Sequence, residues 1–186
     1  MNLMRNIIVS LTSLLEIHDE YTKDHSEHVA KVARMIASAM GLSQEEVSKI
    51  YFAGLVHDVG KTVIPHDIIN KKDKLTEEEF ELIQKHAYYG YEAFSKSEAL
   101  NFIAELVLYH HERIDGKGYP TQKSGKDIPL GARILCVADA YDAMVNDRPY
   151  RKALTKNEAL TELRRCKGTQ FDENIVEIFI SKVGLE

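Results

Sequence analysis

Residues 43–61, SQEEVSKIYFAGLVHDVGK, read as one helix that carries polar groups into an apolar interior. Ser43 followed three residues later by Glu46 is a capping box, which fixes the start. Val47, Ile50, Tyr51 and Gly54 then recur at helical spacing, and His57 continues their line before Asp58 closes the stretch. Working outward, Thr76 with Glu79 and Thr155 with Glu158 repeat the capping box, Pro129 suits a first helical turn, and Gly41, Gly60, Gly168 and Gly184 suit helix ends. Val29, Val32 and Ile36 form another helical stripe, and no alternating strand pattern bounded by turns is present. The expected fold is all-α, a single helical domain with helices at 3–18, 24–40, 44–59, 77–95, 98–111, 130–145, 156–166 and 173–182. One long loop, Glu112–Ile128, carries ERIDGKGYPTQKSGKDI, and a loop of that length is expected to border a site.

The 186 residues are 44% hydrophobic and 28% charged, enough for one core and one domain. A net charge of −5 argues against broad neutralisation of DNA or RNA duplexes. Cys136 and Cys166 form no CxxC pair, so neither a disulfide scaffold nor a thiolate metal site is expected, and a reducing cytoplasm fits. The start, MNLMRNIIVSLTSLLEIHDE, lacks a small-residue cleavage site and soon turns acidic, so neither a signal peptide nor a membrane span is expected. Leu3, Ile7, Leu11, Leu14 and Leu15 suit a first helix packed on the domain or leading into it. The same stripe could serve a homodimer seam, although four turns are few for a coiled coil. With no receiver-like βα segment, control by phosphorylation would come from a separate regulatory or sensor protein, or from sequence beyond these residues.

Five of the eight histidines fall on apolar stripes. His25 precedes Val29, Val32 and Ile36; His57 follows Ile50 and Gly54; His86 follows Leu82 and Ile83; His110 and His111 follow Ile103, Leu106 and Val107. Asp58 ends an apolar helix, and Asp139 interrupts ARILCVADAYDAM, sharing a face with Leu135 and Asp142. Burying an unpaired carboxylate is costly, and a buried dication reverses that cost. Each histidine alone could equally be a hydrogen-bonded core residue. Together, five imidazoles and two carboxylates exceed one tetrahedral site and match two neighbouring Zn, Mn or Fe ions if one carboxylate bridges. His18, His28 and His66 lack that support and are expected at the surface or behind the ligands.

His57-Asp58 within LVHDVGK and His110-His111-Glu112 followed by DGKGYP resemble the two signatures of HD-GYP domains. The resemblance continues through YTKDHSEHVAKVA, IPHDIINKKDKLTEEEF, HAYYGYEAF, IPLGARILCVADAYDAM, NDRPYRKAL and GTQFDENIVEIF, in family order, from about residue 19 onward. It implies a helical HD-superfamily phosphohydrolase over 19–186, with 1–18 as a preceding helix, hydrolysing cyclic di-GMP to pGpG, with onward cleavage to GMP left open. By position it assigns His25, His57, Asp58 and Asp139 to one metal, with Asp58 bridging to a second held by His86, His110 and His111. Iron is the first expectation, then manganese, with zinc or nickel also compatible. Some relatives place a glutamate, associated with a third metal, where this chain has Tyr21; that departure favours two. His28 stands where relatives often carry arginine.

The resemblance further implies that Lys61 holds the scissile phosphate, rather than only complementing a helix dipole. Arg148 and Arg151 match positions that contact phosphate or guanine, the alternative being a solvated basic turn. Tyr119 is expected to touch substrate by stacking on guanine or hydrogen-bonding phosphate, with Gly116, Gly118 and Pro120 as scaffold. Asp142, and likewise Glu112, are expected to orient a ligand or a water. Two other functions compete: the same chemistry on a different cyclic dinucleotide or nucleotide, and a non-catalytic module binding a dinucleotide or partner.

Overall fold

Capping and apolar spacing together produce a helical bundle. The computed structural model describes residues 10, 12, 13, 15, 17–19, 24–147 and 152–183. After a helical lead-in come α1 (His25–Ala39), α2 (Gln44–Val56), a 3-10 turn (Val59–Val63), α3 (His66–Ile69), α4 (Glu77–Gln84), α5 (His86–Ser95) and α6 (Asn101–Tyr109). A long loop with a 3-10 turn at Gly125–Asp127 leads to α7 (Leu130–Val145), α8 (Lys156–Cys166) and α9 (Glu173–Val183). Among the described residues there is no strand, only an isolated bridge between Lys167 and Phe171. All three expected capping boxes are formed, at the starts of α2, α4 and α8.

The core lies where α1 packs against α2 and α7, and it is extended by α8 and α9. Val29, Ile36, Ile50, Leu106, Ile134, Leu135, Leu163 and Phe179 are all buried in it. Each such side chain contributes roughly 1.5–3 kcal/mol relative to remaining exposed. Among the described residues of the lead-in, Leu15 is buried and Ile17 is exposed. Leu3, Ile7, Leu11, Leu14 and Gly184 lie outside the described residues.

Several element boundaries differ from the sequence reading. The helix expected at 77–95 is two helices meeting at Lys85. The carbonyls of Leu82 and Ile83 accept from the Lys85 N–H, and Ile83 O also faces the His86 ring at 2.6 Å. These bonds draw the chain out of its helical path where His86 turns inward. The helix expected at 44–59 ends at Val56 and that at 98–111 spans Asn101–Tyr109, which leaves His57, Asp58, His110 and His111 just past their last turns. His66 begins the short α3.

Gly60, expected as a helix end, is instead a close-approach position. A Cβ there would collide with the His86 carbonyl oxygen and lie 2.7 Å from Gly90 N, so only glycine lets the 3-10 turn dock onto α5. The loop from Glu112 is equally well tied. Ile114 and Asp115 N–H groups donate to Gln170 and Thr169 carbonyls at 3.3 and 2.9 Å. Arg113 grips Asp115 through two bonds of 3.0 and 2.8 Å. Gly118 sits against the chain just after His111; a Cβ there would lie 2.5 Å from Glu112 Cα and Arg113 N. That contact, with the Tyr119 N–H donating to His111 O at 3.3 Å, lays Tyr119 beside the histidines.

Candidate metal centre

The helix ends converge on one cavity of about 730 Å³, lined at its base by His25, Asp58, Lys61, His86, His111, Tyr119 and Asp139. Three imidazoles are oriented in the same way. The ring Nδ1 atoms of His57, His86 and His110 lie 2.8, 2.6 and 2.6 Å from the carbonyl oxygens of Gly54, Ile83 and Val107, each three residues earlier. Nδ1 must therefore carry the proton, and Nε2 is left as a bare lone pair facing inward. The Nε2 atoms of His86 and His110 are 3.4 Å apart, and His57 Nε2 is buried without a hydrogen-bond partner. Converging lone pairs of this kind repel one another unless a cation lies among them.

Asp58 stands between two sets of these donors. Its Oδ1 lies 3.4 Å from His86 Nε2, while its Oδ2 lies 3.4 Å from His57 Nε2 and 3.7 Å from His25 Nε2. Two groups of potential ligands follow, Asp58 with His86, His110 and His111, and His25 with His57 and Asp58. Asp139 adds Oδ1 at 3.4 Å from His25 Nε2 and Oδ2 at 4.0 Å from His111 Nδ1. The orphaned Nε2 of His57, the facing lone pairs and the shared carboxylate fit divalent cations bound by mixed nitrogen and oxygen ligands.

The charge states follow from burial and neighbours. Burial opposes ionisation of Asp58, yet the neighbouring charges, the Lys61 ammonium foremost, hold its carboxyl well below the usual range. For Asp139, burial is likewise outweighed, chiefly by His25 and His57. Burial pushes His110 down to about 3, with His57 and His86 adding to the effect, and burial also lowers His111 and His86. These rings stay neutral, as ligands must. His25 moves the other way: burial is overcome by its bond to Asp142 and by the charges of Asp139 and Asp58.

Lys61 Nζ lies 2.8 Å from Asp58 Oδ2 and 3.2 Å from Asp19 Oδ2; burial is outweighed by these two carboxylates, and the ammonium is held above its ordinary range. Tyr119 lies over His111, with ring centroids 4.7 Å apart, and burial keeps its phenol protonated. Asp142 accepts from His25 Nδ1 at 2.6 Å and also faces His28 at 3.4 Å.

Glu112 Oε1 accepts from the Thr121 N–H and hydroxyl at 2.7 and 2.8 Å, so this oxygen clamps the loop. Asp19 was missed by sequence reasoning; an acid following an apolar helix and six residues before His25 was the available signal. Arg148, Arg151 and Tyr21 lie outside the described residues. His18 reaches the Ile64 carbonyl at 2.9 Å, and the His28 and His66 side chains are exposed.

The fold and this convergence of histidine and aspartate define a helical His/Asp centre of the HD type. The HD domain family model matches residues 10–175. The chain belongs to the HD domain family, and its HDxGK and HHExxDGxGYP stretches place it in the HD-GYP branch.

It is 40% identical over 95% of its length to the cyclic di-GMP phosphodiesterase response regulator RpfG of Xanthomonas campestris, covering 47% of that protein. It is 39% identical over 94% of its length to a cyclic di-GMP phosphodiesterase of Thermotoga maritima, covering 48% of it. The chain thus spans about half the length of these relatives. Its fold matches the crystal structure of the cyclic GMP-AMP specific phosphodiesterase V-cGAP3 of Vibrio cholerae with a TM-score of 0.74 at 22% identity, over 96% of this chain and 48% of that one. No helix among the described residues is long and apolar enough to cross a membrane.

Proposed function

We propose that this chain is a metal-dependent phosphodiesterase that opens cyclic di-GMP to pGpG and, by a second cut, yields GMP. The observation that supports this most is the position of Asp58, with one oxygen toward His86 and the other toward His25 and His57. In this reading His25, His57, Asp58 and Asp139 would hold one divalent cation, and His86, His110 and His111, together with Asp58, would hold a second. Iron or manganese is the expected pair. Bound there, the cations would supply an activated water and neutralise the phosphoryl oxygens.

The chain's own groups do the positioning. Lys61, kept protonated between Asp58 and Asp19, offers its ammonium to a non-bridging oxygen of the scissile phosphate. Tyr119, neutral and held over His111, offers a ring face and a hydroxyl to the nucleotide. Arg148 and Arg151 serve the phosphate or guanine. Residues 19–186 form the catalytic domain and 1–18 the helix leading into it. A homodimer seam at that helix or a separate regulatory or sensor protein, and a cytoplasmic location, complete the reading.

The test is chromatographic detection of pGpG and GMP after anaerobic incubation of cyclic di-GMP with protein loaded separately with Fe(II) and Mn(II). Asp58→Ala is expected to abolish product in both. Undiminished turnover by metal-replete Asp58→Ala would overturn the shared-carboxylate reading. If protein shown to hold two metals gives no product, the substrate is another phosphoester, or the chain is a binding module.

A further inference from the structure

The cavity is larger than the metal centre needs. Beyond the histidines it continues along the segment from α3 to α4, where Leu75, Phe80 and Ile83 supply apolar lining and Lys72 and Lys74 supply cations. Phe80 is 49% exposed and Leu75 36% exposed, so this is large apolar surface facing solvent inside the cavity that also holds Asp58. Exposed apolar surface in a concave site usually has an occupant.

The wall is also firmly built. The capping box of Thr76 and Glu79 starts α4, and Glu79 accepts from Lys71 Nζ at 2.8 and 2.7 Å, so the stretch carrying Lys72 and Lys74 is tied at both ends. This bond leaves Lys71 and Glu79 neutralising each other. Of the remaining charged residues of this stretch, Lys72, Asp73 and Lys74 line the cavity, while Glu77, Glu78 and Glu81 of α4 are not among its lining residues.

We propose that this wall is the recognition subsite for the half of a purine cyclic dinucleotide that is not being cut: Phe80 stacks on its base, and Lys72 and Lys74 neutralise its phosphate. The inference rests on the cyclic di-GMP reading and extends it. Such a substrate carries two phosphates and two bases; the histidine centre with Lys61 engages the scissile phosphate, and Tyr119, Arg148 and Arg151 are assigned to the nucleotide at that centre, which leaves the far base and phosphate for the wall. Stacking on an aromatic ring tolerates guanine and adenine alike, so the wall selects for a purine face and a second phosphate, not for guanine itself.

The test compares wild type, Phe80→Ala, Phe80→Tyr and Lys72→Ala/Lys74→Ala, all metal-loaded. KM and kcat are measured on cyclic di-GMP, with equilibrium dialysis of its bis-phosphorothioate analogue in parallel. Phe80→Ala is expected to raise KM and the dissociation constant about tenfold with much less effect on kcat, and Phe80→Tyr to restore both. The double lysine variant should weaken binding by a similar factor and flatten its salt dependence. Unchanged KM and dialysis binding in Phe80→Ala, or a loss confined to kcat, overturns the proposal. If wild type turns over no cyclic di-GMP, the functional reading fails and dialysis alone decides the subsite. Binding weakened tenfold by Phe80→Ala then sustains it, and equal binding, or none by wild type, overturns it.

Discussion

The Nε2 atoms of His86 and His110 face each other at 3.4 Å, and the Nδ1 of each ring is already committed to a backbone carbonyl. Neither ring can relieve the contact by switching tautomer without orphaning that carbonyl bond. A shared cation removes the conflict, so metal binding and folding should be linked. Exhaustive chelation is expected to lower the melting temperature by about 10 °C, on the basis of some 4 kcal/mol from a ligand at a thousand times its dissociation constant. Differential scanning calorimetry with and without restored Mn(II) checks this, and identical melting would show that the histidines need no ion.

His25 is aimed by Asp142, whose Oδ2 lies 2.6 Å from its Nδ1. Removing an outer partner of a ligating histidine typically costs about 10–100-fold in metal affinity. Asp142→Ala should fall in that range, and Asp142→Asn, which keeps an acceptor oxygen, should lose less. Competition with a chelating dye measures both.

Glu112 is buried and fastens Thr121 through two bonds. Glu112→Ala strips the acceptor from a backbone N–H and should cost about 1–3 kcal/mol in urea unfolding. Glu112→Gln retains an acceptor oxygen and should cost less. Because the clamp closes on the residue after Pro120, the alanine variant should also raise KM through a displaced Tyr119.

The hydrogen-bonded Arg113 guanidinium holds the Asp115 carboxyl down at about 2 against the opposing effect of burial. A depressed carboxyl adds stability that is complete above its unfolded value near 4 and is lost as pH falls through about 2. The pair is partly exposed, so solvent screens much of the effect. Carbon-detected NMR titration should find Asp115 near 2 in the wild type and back near 4 in Arg113→Met.

Much of this centre was legible because polar residues on apolar stripes are conspicuous: His25 ahead of Val29 and Ile36, His57 after Ile50, and Asp139 after Leu135 all converge as their spacing implied. The capping boxes were legible because each is a local exchange of two bonds. The break at Lys85 was not, since it depends on where His86 must turn, a tertiary matter that leaves the apolar period unbroken. Asp19 reads as a surface acid until Lys61 is placed beside it. The wall around Phe80 was hidden for the opposite reason: amid lysines and glutamates, a lone phenylalanine resembles a solvated helix face.

Gly60 gives the two halves of the centre a common mechanical fate. With no side chain between the 3-10 turn and the start of α5, there is nothing compressible to absorb a shift of one against the other. A push on α5 from any neighbour would therefore reach the Asp58–His86 spacing almost undiminished. The smallest residue in the HDxGK signature thus works as a rigid spacer between the turn after Asp58 and the helix that begins at His86.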